Sequence, residues 1–284
     1  MPAEITVFRT IAEMRSELEP LRRQGAAIGL VPTMGALHAG HLSLARESIK
    51  QCDYSIASIF VNPTQFAPDE DLAQYPRTFE QDSQLLKEVG VDAIFFPQVE
   101  EMYPDGYSTA VSPPKVAEVL EGEFRATHFG GVCSIVLKLF NAVMPTKAFF
   151  GQKDYQQAAV IRQMVADLNV AVEIVVCPVV RDKDGLALSS RNRYLSEQEK
   201  QIALSLSRTL QFVADEIHGG EADGHALMAE MRQMLIDGGV TSVDYAAICE
   251  PRTLAIVDEI EKPVVALIAA HVGETRLIDN RFME

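Results

Sequence analysis

The stretch Ala26-Ala-Ile-Gly-Leu-Val-Pro-Thr-Met-Gly-Ala-Leu-His-Ala-Gly-His41 decides the reading of the fold. It opens on an apolar run, Ala26 to Val31, passes through a loop carrying Gly35 and Gly40, and leads into a helical pattern over His41–Gln51. Strand, glycine loop and helix in that order make the context in which backbone N–H groups and a helix N-terminus receive phosphate. His38 and His41 lie three apart in this loop and add ring N–H groups that a plain phosphate loop does not need. A second segment far downstream, Gly185-Leu-Ala-Leu-Ser-Ser-Arg191, places two hydroxyls and a guanidinium on a short loop. That set suits a mobile clamp on a polyphosphate whose charge shifts during reaction. Together the two segments point to an enzyme that cleaves ATP between its α and β phosphates.

Around the first stretch, short apolar runs alternate with helical patterns. Strands are predicted at Ala26–Val31, Tyr54–Val61, Ala93–Phe96, Ala148–Phe150 and Val172–Val176, and helices at His41–Gln51, Phe79–Val89, Val132–Ala142 and Tyr155–Leu168. This repetition predicts an α/β fold: a Rossmann-like parallel sheet with helices on both faces. Ligands of such sheets bind beyond the C-terminal strand ends, where the loops Pro32–Gly40 and Asn62–Phe66 should lie. The character changes near Pro178. Asp182-Lys-Asp-Gly185 reads as a turn, and Ser196-Glu-Gln-Glu199 as a capping box opening a helix to about His218, which Gly219-Gly220 ends. A helix over Asp223–Ile236 and strands at Val243–Cys249, Val264–Ala270 and Thr275–Leu277 follow. Two domains are therefore expected, 1–178 Rossmann-like and 179–284 a smaller C-terminal α/β domain carrying the Ser-Ser-Arg loop.

Bulk properties narrow the partners. With 25 Lys and Arg against 40 Asp and Glu, the 284-residue chain has a net charge of −15. That disfavours nonspecific binding to nucleic acid or anionic membrane, and a site for ATP must gather its cations locally. The 48% hydrophobic and 23% charged residues are ordinary for a globular protein. No apolar run reaches the roughly 18 residues of a membrane span. The opening Met1-Pro-Ala-Glu-Ile-Thr-Val lacks the pattern of a secretory signal. Cys52, Cys133, Cys177 and Cys249 are isolated from one another, so free thiols and a cytoplasmic location are expected.

Each candidate residue has a plainer reading. A single histidine is most often a packing or loop residue. Histidines at i and i+3 can also share zinc, but no H-E-x-x-H or cysteine cluster supplies a third ligand. Gly151-Gln152-Lys153-Asp154 follows a strand and opens a helix, with Asp154 a plausible N-cap. It could be only a capped helix with an exposed lysine, yet a lysine at a strand's C-terminal end is well placed for phosphate. Gln65 and Gln157 would singly pass for surface residues, and a Ser-Ser-Arg for a solvated turn.

Seven blocks add a resemblance. They are Val31–His41, Phe60–Phe66, Tyr75–Thr78, His128–Val132, Phe150–Gln157, Asp184–Tyr194 and Arg276–Asn280, in order along nearly the whole chain. His38-Ala-Gly-His41 with the downstream Ser-Ser-Arg resembles the nucleotidyl-transferring α/β superfamily that includes class I aminoacyl-tRNA synthetases. The full set resembles one family in it, the pantoate–β-alanine ligases. The resemblance implies ATP-dependent condensation of (R)-pantoate with β-alanine to pantothenate, AMP and pyrophosphate through a pantoyl adenylate, in coenzyme A biosynthesis. It implies ATP binding by Met34, Gly35, Ala36, Leu37, His38, Ala39, Gly40 and His41, by Gly151, Gln152, Lys153 and Asp154, and by Val180, Leu188, Ser189, Ser190 and Arg191. His41 is implied as proton donor, with His38 and Lys153 beside it in catalysis. Gln65 and Gln157 are implied for pantoate, Gln65 also for β-alanine, with Asn62 nearby and Arg125 as an added charge. Mg²⁺ with ATP and a homodimer are implied as well. Two departures stand out. Gln152 replaces a glutamate common in the family, and Gln81-Asp82 stands where an acidic pair is frequent, leaving Asp82 as the candidate metal contact. Rival readings are another adenylyl transferase, which the blocks around Gln65 and Gln157 disfavour, a tRNA-charging enzyme, which the charge and length disfavour, a nucleotide sensor without turnover, and a histidine-based metal hydrolase.

Overall fold

The strand that feeds the glycine loop is built to be covered on both sides. β2 (Ile28–Thr33) keeps five of its six residues buried, as expected for a central parallel strand. The computed structural model describes residues 5–67 and 70–284, so the opening residues 1–4, read above as lacking a signal pattern, lie outside it. The chain divides into two compact units, Met1–Gly151 with Gln157–Pro178, and Gln152–Gln156 with Val179–Glu284.

The first unit contains β1 (Thr6–Phe8), α1 (Ile11–Arg23), β2, α2 (Ala39–Gln51), β3 (Tyr54–Ile59), α3 (Phe79–Val89), β4 (Ala93–Phe95), the single turns α4 (Val99–Met102) and α5 (Glu121–Phe124), α6 (His128–Val143), β5 (Lys147–Gly151), most of α7 (Tyr155–Asp167) and β6 (Glu173–Cys177). The six strands are all parallel, in the order β1-β4-β3-β2-β5-β6. From β2 the chain winds outward through β3 and β4, then crosses to β5 on the other side of β2. That reversal makes the gap between β2 and β5 the topological switch point, where open α/β sheets take ligands at the strand C-termini. α2 and α3 pack on one face over Val31, Ala57, Ile59, Ile94 and Phe149. α1 and α6 pack together on the remaining helical layer. No described helix is long and apolar enough to cross a membrane.

β1, α1 and the single turns α4 and α5 were not anticipated from sequence. β1 has only three residues, and α1 carries Pro20 inside it. The capping box that starts α1 is nonetheless present, with Glu13 N donating to Thr10 Oγ1 and Thr10 N to Glu13 Oε2. α6 begins four residues before the expected Val132.

The second unit holds α8 (Glu197–Gly219), α9 (Gly224–Asp237), β7 (Ser242–Cys249), β8 (Val264–Val272) and β9 (Thr275–Met283). The Ser196–Glu199 capping box forms as expected, and Gly220 closes α8 in the left-handed conformation. The smaller α/β unit is an antiparallel sheet, β7-β8-β9, packed against the two helices. β9 runs six residues past the expected Leu277.

Candidate active site

Beyond β2 the chain turns through Gly35 at φ +82° and Ala36 at φ +51°. The first is natural for glycine; the second is a strained position for alanine and needs support from outside. Asp82, on the first turn of α3 and 1% exposed, supplies it. Ala36 N donates to its Oδ2 at 2.9 Å and Leu37 N to its Oδ1 at 2.8 Å. The Thr78 hydroxyl donates to Oδ2 at 3.1 Å. Thr33 completes the frame, its hydroxyl accepting from Gly35 N at 3.2 Å and donating to Ser58 O at 2.6 Å. Asp82, expected as a Mg²⁺ contact, therefore has both oxygens engaged by the loop. It does not fit a metal ligand, and among the described residues no group of three His, Cys, Asp or Glu is placed to hold a metal.

The loop delivers His38 to the N-cap of α2. Gly40 N donates to His38 Nδ1 at 3.2 Å, and His38 N to His41 Nδ1 at 3.4 Å, with the ring centroids 4.1 Å apart. A ring nitrogen that accepts carries no proton, so a neutral imidazole in this pose has its proton on Nε2. Both histidines thus serve as caps through Nδ1. Met34, His38, Gly40 and His41 are half-buried and Ala39 is exposed.

At the end of β3, Asn62 caps a single 3-10 turn, Pro63–Gln65. Gln65 is 9% exposed and accepts a hydrogen bond from Asn62 Nδ2 at 3.0 Å. Its backbone carbonyl accepts from His128 Nδ1 at 3.0 Å, which places the His128 proton on Nδ1. Burial, with Arg125 adding to it, pushes this ring down to about 4, so it is neutral near pH 7. Arg125 is paired bidentately with Glu70 at 2.7 and 2.8 Å. Burial alone would raise the Glu70 carboxyl, but the Arg125 hydrogen bonds hold it below its ordinary value. Arg125, read from sequence as a charge for substrate, is committed to that pair. Gln157, on α7, is half-buried, and its side chain has no hydrogen-bond partner among the described residues.

In the second unit the turn Gln152–Asp154 carries Lys153, whose Nζ lies 3.6 Å from Asp154 Oδ1. Asn280 of β9 fixes this turn, its Nδ2 donating to Gln152 O at 2.8 Å and to Lys153 O at 2.9 Å. The neighbouring Asp279, 3% exposed, holds Arg181 bidentately at 2.6 and 2.9 Å. Arg181 Nη1 also donates to Gly185 O at 3.1 Å, at the turn of a narrow hairpin closed by Leu188 N to Val180 O at 2.9 Å. Just past the hairpin, Ser189 caps the 3-10 segment Ser190–Tyr194, accepting from Arg191 N at 3.3 Å. Val180, Leu188, Ser189, Ser190 and Arg191 are all half-buried.

The sequence model of the pantoate-beta-alanine ligase family matches residues 6–282. The chain belongs to this family. A pantothenate synthetase from Moorella thermoacetica is 50% identical over 278 residues, covering 98% of each chain. One from Caldicellulosiruptor bescii is 49% identical over 280 residues, covering 99% of each. Among solved structures, pantothenate synthetase from Thermus thermophilus superposes with a TM-score of 0.93 at 41% identity, covering 98% of this chain and 99% of that one. A pantoate-beta-alanine ligase from Francisella tularensis, complexed with beta-gamma ATP and beta-alanine, gives a TM-score of 0.82 at 34% identity over 98% and 97% of the two chains.

Measured against the ligase reading, the first unit brings together the glycine loop, both histidines and Asp82, and it builds a separate nest around Gln65. The second unit ties Lys153, and through Arg181 the hairpin that precedes Ser189–Arg191, to adjacent residues of β9. The scaffold residues Asp82, Arg181, Asp279 and Asn280 were not recognised from sequence in these roles. The block Arg276–Asn280 was the available signal, since an Asp-Asn pair inside an apolar strand calls for buried partners.

Proposed function

We infer that this protein joins pantoate to β-alanine at the expense of ATP, releasing AMP and pyrophosphate. The observation that carries the reading is the family match over residues 6–282. In the first step the pantoate carboxylate attacks the α-phosphate and pyrophosphate leaves. In the second the β-alanine amine attacks the acyl carbon of pantoyl adenylate and AMP leaves. Neither step needs a covalent enzyme intermediate, so catalysis rests on placement and on donors aimed at phosphate charge.

On this reading Met34–His41 receive the nucleotide, and His41 presents its Nε2–H to charge growing on the phosphates. Its Nδ1 accepts from His38 N, so the proton that it offers as donor is the one on Nε2. Gly151–Asp154 with Lys153, and Val180, Leu188 and Ser189–Arg191, complete the ATP contacts. Gln65 and Gln157 hold pantoate, and Gln65 also meets β-alanine. Neutral amides suit a carboxylate that must react, because a fixed ion pair would stabilise its ground state as well. Mg²⁺ accompanies ATP as the counter-ion of its phosphates, without a ligand role for Asp82. The protein acts in the cytoplasm as a homodimer.

The test is mass-spectrometric product detection with ATP, Mg²⁺, pantoate and β-alanine, omitting each in turn, alongside pyrophosphate–ATP isotope exchange. Exchange should require pantoate but not β-alanine. Release of ADP and phosphate, or exchange that needs β-alanine, would overturn the adenylate scheme.

A further inference from the structure

Asn62 is fully buried, and its amide is oriented by backbone groups rather than by choice of rotamer. Its Oδ1 faces the Thr64 backbone N–H at 3.4 Å, which can only donate. Its Nδ2 faces the Gly131 carbonyl at 3.2 Å, which can only accept. A flipped amide would set like against like at both ends. The carbonyl is this near because position 131 is glycine, where a Cβ would stand 2.2 Å from Thr64 O. Two hydroxyls reinforce the same orientation, Tyr103 donating to Oδ1 at 2.8 Å and Thr64 at 3.0 Å. The Tyr103 bond is the shortest of the three on that oxygen.

The orientation propagates one residue further. Asn62 Nδ2 donates to Gln65 at 3.0 Å, so the Gln65 atom there is the oxygen, Oε1. Gln65 Nε2 is left without a partner among the described residues, yet it is not among the fully buried unpartnered atoms, so it keeps access to solvent. The start of the chain is itself fixed. The Tyr103 ring lies edge-on to Tyr107 at 5.1 Å and 6.3 Å from Phe60, and Lys138 Nζ stands 5.6 Å from its centroid. Burial raises the Tyr103 phenol above its ordinary range, so it remains a donor at neutral pH.

We propose that Tyr103 is a positioning residue for the ligase reaction: acting through Asn62, its hydroxyl fixes the Gln65 amide with Oε1 turned inward and Nε2 presented to substrate. Gln65 then meets its ligands only as a donor. It can bind a hydroxyl or carboxylate oxygen of pantoate and the carboxylate of β-alanine, but not the ammonium of β-alanine. The proposal rests on the reading that Gln65 contacts these substrates.

Without the Tyr103 hydroxyl, Asn62 keeps its two backbone contacts but loses the shortest bond on Oδ1, so it holds Gln65 less firmly, and the Gln65 amide samples orientations of which only one is competent. An equilibrium of that kind raises the apparent KM by the inverse of the competent fraction and leaves the saturated rate alone. Tyr103→Phe should therefore raise KM for pantoate by roughly five- to tenfold, the worth of about one hydrogen bond. kcat should stay within about twofold and KM for ATP should not change, because Asn62, Gln65 and Tyr103 touch none of the groups assigned to nucleotide. The side-chain ¹⁵N signals of Gln65, identified by their loss in Gln65→Leu, should be a single pair in the parent protein and doubled or broadened in Tyr103→Phe. An unchanged pantoate KM, a matched loss for ATP, or an unaltered Gln65 signal would overturn the proposal. Gln65→Leu separates the two layers of the argument. If it weakens pantoate while Tyr103→Phe does not, the relay alone falls; if Gln65→Leu leaves pantoate untouched, the substrate reading falls and the relay with it.

Discussion

The glycine loop of the first unit and the Ser189–Arg191 segment of the second are anchored by different chemistry. In the first, a buried carboxylate binds the loop itself, Asp82 accepting from Ala36 N and Leu37 N within 2.9 Å. In the second, the buried carboxylate is one step removed. Asp279 binds Arg181, and Arg181 in turn reaches Gly185 O, at the tip of the hairpin. Residues 189–191 follow that last anchor, with Arg191 N donating to Ser189 Oγ at 3.3 Å and Asn192 Nδ2 to Ala187 O at 3.0 Å. A loop whose own N–H groups are fixed stays in place before ligand arrives, and one held at its base can move. The comparison suggests a preformed receptor in the first unit and an adjustable clamp in the second.

The largest effect should come from breaking the direct anchor. Asp82→Ala leaves two N–H groups unpaired in a buried position. At about 1.5–3 kcal/mol for each charge-assisted bond, stability should fall by about 3–5 kcal/mol. Pantoate-dependent pyrophosphate–ATP exchange should fall by roughly two to three orders of magnitude as the preorganised donors scatter. Denaturant unfolding and the exchange assay measure the two losses, and parent-like exchange would mean that the loop holds itself.

The matching change in the second unit is Asp279→Ala. Breaking a buried ion pair costs about 3–5 kcal/mol. The Arg181 side chain retains 28% exposure, so water softens the loss toward the lower end, about 3 kcal/mol. Because Asp279 binds Arg181 and not the segment itself, exchange should drop by only about tenfold and recover at high ATP, a population effect. If Asp279→Ala abolishes exchange as fully as Asp82→Ala, the distinction between receptor and clamp is lost.

Acid should weaken the first unit through His128. Folded, the ring titrates at about 4; unfolded, it returns to its ordinary 6.5. Between those values the unfolded chain binds a proton that the folded chain refuses, so this contribution is complete above pH 6.5 and is lost as the pH falls toward 4. The loss should not exceed about 3 kcal/mol. Hydrogen exchange at pH 5 against pH 7.5, corrected for intrinsic rates, should show residues 128–143 losing protection, and His128→Gln should remove most of that pH dependence. Equal loss across 197–219 would point to a general acid effect.

Much of this was legible in the sequence because pattern and structure share a cause. The buried run Ile28–Val31 marked β2, and Ser196 with Glu199 marked the start of α8 to the residue. The histidine pair and Lys153 stood out by position after strands, and the Ser-Ser-Arg segment by its hydroxyls and guanidinium on a short loop. What could not be read is what polar residues do once buried. Asp82 looks from sequence like any acid on the first turn of a helix, and only the fold reveals that it faces Ala36 and Leu37. The run Asp279-Asn280-Arg281 broke the apolar alternation, so β9 was expected to stop at Leu277, yet Asp279 and Asn280 are buried because Arg181 and the Gln152–Lys153 carbonyls satisfy them. Gly131 lay outside the expected helix, yet it sits within α6, where its lack of a side chain lets the helix close on the Thr64 backbone.

The smallest expected effect is the most direct probe of the comparison. Amide exchange in the absence of nucleotide should already be slow at Ala36 and Leu37, whose N–H groups are bound to Asp82, and faster at Ser190 and Arg191. Adding a nonhydrolysable ATP analogue should slow exchange across 182–194 by roughly tenfold, about 1.4 kcal/mol of added local stability. Ala36 and Leu37 should change little, because their bonds are complete before the ligand binds. The hairpin offers an internal control: Leu188 N, bound to Val180 O at 2.9 Å, belongs with the anchored base and should respond less than Arg191 N, three residues beyond. A gradient of response rising from 188 to 191 is what a clamp hinged at Arg181 requires. Uniform protection from 182 to 194 without nucleotide would instead mean that the second loop is as preformed as the first, and the indirect anchor would then carry no mechanical meaning.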